Sequence, residues 1–300
     1  MLLRFPSLDL TSQEAFGLKI LAQGSSPNVD VVAVHGLNGH RENTWTAKTG
    51  VLWLRDLLPA KIPNARIFSW GYDANTHGKK PLTSMYLYDH ARELVSDLSL
   101  ERRLTNTTQR PIVFVAHSLG GIVVKSALLH SNSTHPGHLK EHRAIKTSTY
   151  GIIFMGTPHQ GSDSSAWGMR LVDVEFIFIH TNDSLLKNLG KDSEMLQNVL
   201  AYYAGISSDF VTKFAYETYA TPLATGKAVL VVPKSSAVVP GAVDAEAIAI
   251  MDNHLNMVKF LSEDDSGFKK IAGHLMLMAE DASTKISQNW EREGNLQISK

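Results

Sequence analysis

Short apolar runs alternate with segments of helical periodicity along most of the 300-residue chain. Apolar runs without internal polar residues are typical of parallel strands that helices cover on both faces. The pattern therefore predicts an α/β fold, with a mostly parallel central sheet and helices on both faces. The predicted strands are an edge strand at 18–21 and buried strands at 29–34, 65–71, 111–116, 150–155, 228–232 and 247–251.

A long segment between the strands at 150–155 and 228–232 shows helical pattern and no strand signal, including 195–203 and 210–219. An insertion at this point of an α/β fold covers the carboxyl edge of the sheet. The sequence therefore predicts a helical cap over roughly 163–226 within a single domain of residues 1–280. From Asp281 the chain is polar, which predicts a C-terminal tail over 281–300.

The stretch PIVFVAHSLGG, Pro111–Gly121, passes from an apolar run through one sharp turn into a helical pattern. A small-x-Ser-x-Gly turn between a strand and a helix raises the serine hydroxyl above the carboxyl edge of a parallel sheet. Ala116 stands where the commoner pattern has glycine, and its methyl group is nearly as small. The segment therefore predicts Ser118 as a nucleophile.

The loop HGLNGH, His35–His40, follows the apolar strand at 29–34. In hydrolases of the α/β class, such a loop presents one backbone N–H to the reaction's oxyanion, and the residue after the nucleophile presents another. We assign these donors to Leu37, in the loop that Gly36 opens, and to Leu119. His35 and His40 either pack within the loop or line the site.

A serine hydroxyl needs a base within hydrogen-bond reach, and a third group must hold that base in one tautomer. The order in α/β-hydrolases is Ser, acid, His, with the histidine after the last strand, which selects His254. The usual acid position, after the predicted penultimate strand at 228–232, holds PKSS and no carboxylate. Asp163 is favoured, with Asp244 and Glu246 as alternatives beside the last strand. A dyad completed by a backbone carbonyl or a water molecule stays open.

Composition excludes several classes of function. Lysine and arginine total 29, as do aspartate and glutamate, so no net charge favours a nucleic-acid partner. The absence of cysteine excludes disulfides and thiol catalysis, and the histidines between 130 and 142 lack zinc-type spacing, so no metal or other cofactor is predicted. No signal peptide or transmembrane run is recognisable, which predicts a soluble, cytoplasmic protein.

Six segments occur in a family-specific order between about residues 29 and 262: VVAVHGLNGHRENTW, FSWGYDA, VFVAHSLGGIVVKSAL, FMGTPHQGSD, VVPKSSA and DNHLNMVKF. Together they resemble the serine-active-site-containing hydrolase family, especially its fungal branch, found as single proteins and as the lipase-like N-terminal module of NOD-like receptor proteins. The resemblance implies an α/β-hydrolase fold and esterase, lipase or acyltransferase chemistry, with the nucleophile at Ser118 and the base at His254. Relatives often carry an acid in the segment matching Pro233–Ser236, where this chain has none.

We therefore expect a serine hydrolase that cleaves a carboxylic ester, lactone or thioester of a small-molecule or lipid-like substrate without a cofactor. The alternative is a hydrolase-like signalling or partner-binding module with little or no activity. The receptor branch of the family and the vacant acid position favour that alternative. The enzyme is favoured by the serine turn at Ala116–Gly120, here called the elbow, by the loop His35–His40, here called the oxyanion loop, and by His254.

Overall fold

A computed structural model describes residues 15–74, 84–134, 139–159, 193–222, 226–239 and 245–298 of the chain. The strands within them are β1 (Gly17–Gln23), β2 (Val29–Val34), β3 (Ala65–Gly71), β4 (Ile112–His117), β5 (Thr149–Met155), β6 (Val211–Glu217), β7 (Thr221–Pro222), β8 (Ala228–Val229) and β9 (Ala245–Ile250). The helices are α1 (Trp53–Asp56), α2 (Leu58–Lys61), α3 (Ser84–Leu104), α4 (Leu119–Ser133), α5 (Lys140–Ser148), α6 (Ser193–Ala204), α7 (Lys234–Ala237) and α8 (Ser266–Ile298). Short 3-10 turns lie at Asn43–Trp45 and Ser207–Asp209.

The central sheet has seven strands in the order β1-β3-β2-β4-β5-β6-β9. Neighbouring strands from β3 to β9 are parallel, and β1 pairs antiparallel with β3 at one edge. The predicted mostly parallel sheet, with an edge strand near residue 18, is thereby confirmed. Because the carboxyl ends of parallel strands meet at one edge, the loops after β2, β4, β5, β6 and β9 gather there.

Apolar cores lie on both faces of the sheet. Phe114 and Val113 are neighbours on β4, and they belong to opposite cores because strand side chains alternate between the faces. Leu94 of α3 packs in the first core, and Phe268 of α8 packs in the second. Burial on both faces explains why the inner strands are continuous apolar runs, and it confirms the prediction of two helical layers.

The helical pattern predicted over 210–219 is wrong. Residues Val211–Glu217 form β6, which pairs with β5 on one side and β9 on the other. A cap that reaches residue 226 is therefore excluded, because β6 is part of the central sheet. The first part of the predicted cap, at 163–192, lies outside the described residues.

The penultimate strand of the sheet is also not the one predicted. Of the run at 228–232, only Ala228–Val229 is a strand, and it pairs with β7 in a separate two-stranded sheet. Val231 and Val232 are fully buried, so the apolar run reflects burial of a loop. The strand that precedes β9 in the central sheet is β6.

The predicted polar tail from residue 281 is wrong as well, because α8 continues without interruption to Ile298. Ala282 and Ile286 are buried on one face of this helix. One turn further on, the Trp290 indole N–H donates to the Ser148 hydroxyl at 3.1 Å. The spacing of four residues places these side chains in one stripe against the domain. None of the described helices has the length and apolar content that crossing a bilayer requires.

Candidate active site

Ser118 lies at the turn between β4 and α4. Its backbone has φ 51° and ψ −124°, a conformation that non-glycine residues adopt only when the surrounding structure imposes it. The Ser118 N–H donates to the Met155 carbonyl at 2.9 Å, which fixes the turn against the end of β5. The hydroxyl oxygen is buried and has no hydrogen-bond partner among the described residues. The strained turn between strand and helix is as predicted for a nucleophile, whereas the burial of its hydroxyl differs from the exposed position that this type of turn gives.

His254 and Glu217 form a buried pair at the same edge of the sheet. The His254 Nδ1 atom lies 3.1 Å from Glu217 Oε2, and both side chains are inaccessible to solvent. The other carboxylate oxygen accepts the Val232 N–H at 2.8 Å. Because a carboxylate only accepts, Nδ1 carries the proton and Nε2 has a free lone pair. Nε2 is buried without a hydrogen-bond partner among the described residues.

Gly156 places the His254 ring beside the elbow. A Cβ atom at this position would lie 2.9 Å from His254 Cε1, and the residue has a φ of 58°. Only glycine allows both the close approach of the ring and this backbone conformation at low cost. Gly156 directly follows Met155, whose carbonyl accepts the Ser118 N–H. The imidazole therefore packs on the end of β5 that also supports the serine.

His117 links the elbow to the backbone of His254. Its Nε2 lies 3.0 Å from the His254 carbonyl oxygen, and the two ring centroids are 4.9 Å apart. Burial lowers the pKa of His117 well below its ordinary value, so the ring is neutral. Because a carbonyl only accepts, Nε2 is the protonated nitrogen of His117. His117 thus donates a hydrogen bond that holds the segment after β9, here called the histidine loop, which carries His254.

The loop after β2 lies directly against the elbow. A Cβ atom at Gly36 would stand 2.7 Å from the Ser118 Cβ atom. The Leu37 N–H has no acceptor among the described residues, and Leu119 begins α4, where the backbone N–H groups have no partner within the helix. The loop that carries Leu37 thus lies against the turn at Ser118, and the roles of Leu37 and Leu119 as oxyanion donors stay a prediction.

His35 and His40 have different surroundings. The His35 ring is fully buried and stacks on Tyr72 with centroids 4.5 Å apart, and burial lowers its pKa to about 4. His35 therefore packs within the loop. The Nδ1 atom of His40 accepts the Glu42 N–H at 3.0 Å, which leaves the proton on Nε2, and His40 lines a cavity beside the loop.

Of the three carboxylates considered for the acid, the structure describes only Glu246. Asp163 and Asp244 lie outside the described residues. Glu246 lies at the amino end of β9, at the opposite edge of the sheet from His254, as its sequence position predicts. Its exposed side chain accepts a hydrogen bond from Lys213 Nζ at 2.8 Å. Glu217 holds Nδ1 instead, and sequence reasoning missed it. The signal for it was the content of β-branched and aromatic residues in VTKFAYE, which is typical of a strand.

Two other histidines meet at the opposite end of α4 from Ser118. His130 Nε2 lies 3.2 Å from His142 Nδ1. Among the residues that the structure describes, no group of three histidine, cysteine, aspartate or glutamate side chains could hold a metal ion. We assign no ligand to this pair.

A second buried polar cluster lies on the face of α4 that packs against α6. Lys125 Nζ is 2.6 Å from His159 Nδ1 and lies over the rings of Phe154 and Tyr203, at 5.2 and 5.0 Å from their centroids. No carboxylate among the described residues pairs with this lysine. Burial lowers the pKa of Lys125 to about 7, and burial together with the lysine charge lowers the pKa of His159 well below its ordinary value.

The Lys125 cluster makes stability depend on pH. Lys125 has a pKa of about 7 in the folded protein and 10.5 in the unfolded chain. Between pH 7 and pH 10.5 the unfolded chain therefore binds more protons at this lysine, so the free energy of unfolding rises with pH. Lys125→Met is expected to raise the free energy of unfolding at pH 7 by about 1–4 kcal/mol. The gain should shrink by pH 10, which denaturant unfolding at pH 7, 8.5 and 10 checks. Lys270→Met, at an exposed lysine, is the control, and a gain that does not change with pH would contradict the assignment.

Comparisons with known proteins add a family match to this geometry. A family model described as PGAP1-like alpha/beta domain matches residues 68–263. Protein SERAC1 of Danio rerio is 29% identical over 265 residues, which are 80% of this chain and 38% of that protein. SERAC1 of Homo sapiens is 27% identical over 256 residues, which are 78% of this chain and 36% of that protein. The chain thus spans less than two fifths of these curated relatives. Both are animal proteins, so the fungal and NOD-like affiliation stays a prediction.

Solved structures with a similar fold include a lipase-esterase related protein from Clostridium acetobutylicum, with a TM-score of 0.47 and 13% identity, covering 88% of this chain and 99% of that one. A soluble variant of the monoglyceride lipase from Saccharomyces cerevisiae has a TM-score of 0.47 and 10% identity, covering 88% of this chain and 90% of that one.

Proposed function

The chain belongs to the family of PGAP1-like alpha/beta domains, and on that premise we propose that it is a serine hydrolase that cleaves a carboxylic ester, lactone or thioester. One observation carries the proposal. Ser118 Oγ and His254 Nε2, the two atoms that such a mechanism joins, are both buried and unpartnered among the described residues. Nδ1 of the same imidazole donates to the buried Glu217 carboxylate.

Acylation begins with attack of Ser118 Oγ on the substrate carbonyl carbon, while His254 Nε2 takes the hydroxyl proton. The negative charge that forms on the carbonyl oxygen is held by the N–H groups of Leu37 and Leu119. Glu217 stabilises the imidazolium and keeps its proton on Nδ1. The bond to the alcohol or thiol then breaks, and the leaving group takes the proton from Nε2.

Deacylation repeats these steps with water as the nucleophile. His254 Nε2 removes a proton from a water molecule, which attacks the acyl carbon bound to Ser118 Oγ. The acid product leaves, and the proton returns to the serine oxygen. Each step uses side chains and backbone groups of this chain, so the proposal requires no cofactor.

Part of the support for the alternative, a partner-binding module, is the absence of a carboxylate directly after 228–232. Glu217 removes that support, because it bonds Nδ1 of His254 with full burial of both side chains. The segment without an acid has a different role: its Val232 N–H donates to Glu217 and helps to orient the carboxylate.

Labelling with a fluorophosphonate probe and hydrolysis of a graded series of p-nitrophenyl esters test the proposed function. The probe reacts with a serine that a neighbouring base activates, so the native protein should be labelled and the ester series should show a preferred acyl length. A protein that is neither labelled nor active on any ester of the series would refute the proposal.

His117 is expected to act as a positioning residue for His254. His117→Phe keeps an aromatic ring but removes the N–H that donates to the His254 carbonyl. We therefore expect kcat to fall about 10- to 100-fold with little change in KM. His117→Gln, whose amide can donate, should recover much of the loss. Both variants are assayed on one ester, with thermal unfolding measured in parallel. An equal fall in kcat for both variants would contradict the role of the hydrogen bond.

A further inference from the structure

A cavity of about 290 Å³ lies beside the oxyanion loop. Leu37, the proposed oxyanion donor, lines it, and Gly36 in the same wall is within contact distance of Ser118. His117 and Leu255 line it from the elbow and the histidine loop. Ser118 and His254 are not among the described residues that line the cavity, so a group bound there would belong to a part of the substrate beside the reacting ester.

Lys259 gives this cavity a positive charge. Its Nζ atom bonds the carbonyl oxygens of Asn43 and Thr46, at 2.6 and 3.1 Å, and it has no carboxylate partner among the described residues. These two bonds fix the ammonium group at the cavity wall, and none of the described residues accepts its third proton. None of the described residues that line the cavity is acidic.

The neighbouring side chains do not cancel this charge. Glu42 is held outside the lining by Lys19, at 2.7 Å, and by Arg41, at 3.9 Å. His40, which lines the cavity, presents a protonated Nε2 as a further donor because its Nδ1 accepts a backbone N–H. The lining thus offers a fixed cation and a neutral N–H donor, which suit a ligand with anionic oxygens.

We propose that this cavity is a subsite for an anionic oxygen group, carboxylate or phosphate, carried by the ester that Ser118 attacks. The inference rests on the proposed function and adds a substrate class to it. A hydrogen bond to a charged group of this kind corresponds to about a 10- to 100-fold preference for the anionic substrate over a neutral analogue.

Two matched pairs of esters test the subsite, with kcat/KM as the measurement. The first pair places a carboxylate in the acyl part: mono(4-nitrophenyl) adipate against its methyl ester. The second pair places a phosphate in the alcohol part: 4-acetoxyphenyl phosphate against 4-methoxyphenyl acetate. At least one pair should show a preference of about tenfold or more for the anionic ester, and the preferred pair shows which anionic group the cavity takes.

Variants of Lys259 connect that preference to the cavity. Lys259→Gln keeps a donor but removes the charge, so the anionic-to-neutral ratio should fall at least tenfold, whereas Lys259→Arg should keep it. Lys270→Gln is the matched control, because Lys270 also bonds a backbone carbonyl, that of Ala249, at 2.7 Å. Its ratio should equal that of the native protein. Thermal unfolding of each variant verifies that it is folded.

The outcomes separate the subsite from the proposed function. Fluorophosphonate labelling with no anionic preference in either pair, or with the same ratio in Lys259→Gln, would overturn the subsite and leave the hydrolase assignment intact. The absence of both labelling and hydrolysis would overturn the hydrolase assignment, and the subsite with it.

Discussion

Ser118→Ala is expected to lower kcat for ester hydrolysis by about six orders of magnitude and to abolish fluorophosphonate labelling. Alanine keeps the backbone of the elbow but removes the oxygen that attacks the carbonyl carbon. The hydroxyl has no hydrogen-bond partner among the described residues, so its removal should leave the free energy of unfolding nearly unchanged. Steady-state kinetics, probe labelling and denaturant unfolding of the same preparation measure the three quantities.

Ser126→Ala is the matched control, because Ser126 is also buried in α4 but lies two turns from the elbow. It should be labelled and should turn over substrate like the native protein. His254→Ala should cost nearly as much as Ser118→Ala, and the double variant should be no worse than either, since the two side chains act as one unit. Labelling that persists in Ser118→Ala would exclude Ser118 as the nucleophile.

The elbow and the oxyanion loop could be predicted from the sequence because each is a contiguous segment whose residues fix the local backbone. At Ser118, the strand, the turn and the helix follow within ten residues, and small neighbours are required by close packing. His254 could be predicted from chain order, because the loop after the last strand returns to the same sheet edge. The structure brings both residues to that edge as expected.

Glu217 could not be predicted in the same way, because its position at the site depends on which strand precedes β9 in the sheet. Val211, Lys213 and Tyr216 of β6 are only partly buried, whereas every residue of β4 and β5 is buried, so β6 lacks their continuous apolar run. The run at 228–232 is more apolar, so the sequence pattern predicts the strand there. Once β6 is recognised as the strand before β9, the rule that places the acid after the penultimate strand points to its carboxyl end, where Glu217 is the last residue of the strand.

The C-terminal helix was missed for a related reason. Composition after Asp281 is polar, but Ala282, Ile286 and Trp290 recur at intervals of four residues and continue the apolar stripe of α8. An ion pair adds to this packing, with Arg143 Nε 2.5 Å from Glu293 Oε1. Periodicity, rather than mean polarity, carried the information about this segment.

Glu217→Gln is expected to lower kcat by up to about four orders of magnitude while KM changes little. The native carboxylate can only accept from Nδ1, which keeps the lone pair of His254 on Nε2. A glutamine amide has no negative charge to stabilise the imidazolium, and its N–H group can bind the other tautomer, which places the proton on Nε2. Kinetics on one ester over a range of pH, with unfolding measured in parallel, separate this effect from loss of structure.

Asp163→Asn and Glu246→Gln are the control variants for Glu217→Gln. Glu246 is an exposed carboxylate paired with Lys213 at the far end of β9, so Glu246→Gln should turn over substrate normally. The segment SDSS at 162–165 precedes a helical pattern, so Asp163→Asn should act as a change of helix cap, with about 1 kcal/mol or less lost in stability and near-normal kcat. If Asp163→Asn instead lost four orders of magnitude while Glu217→Gln stayed active, the buried bond between Glu217 and His254 would be structural, and the acid would lie in the segment after β5.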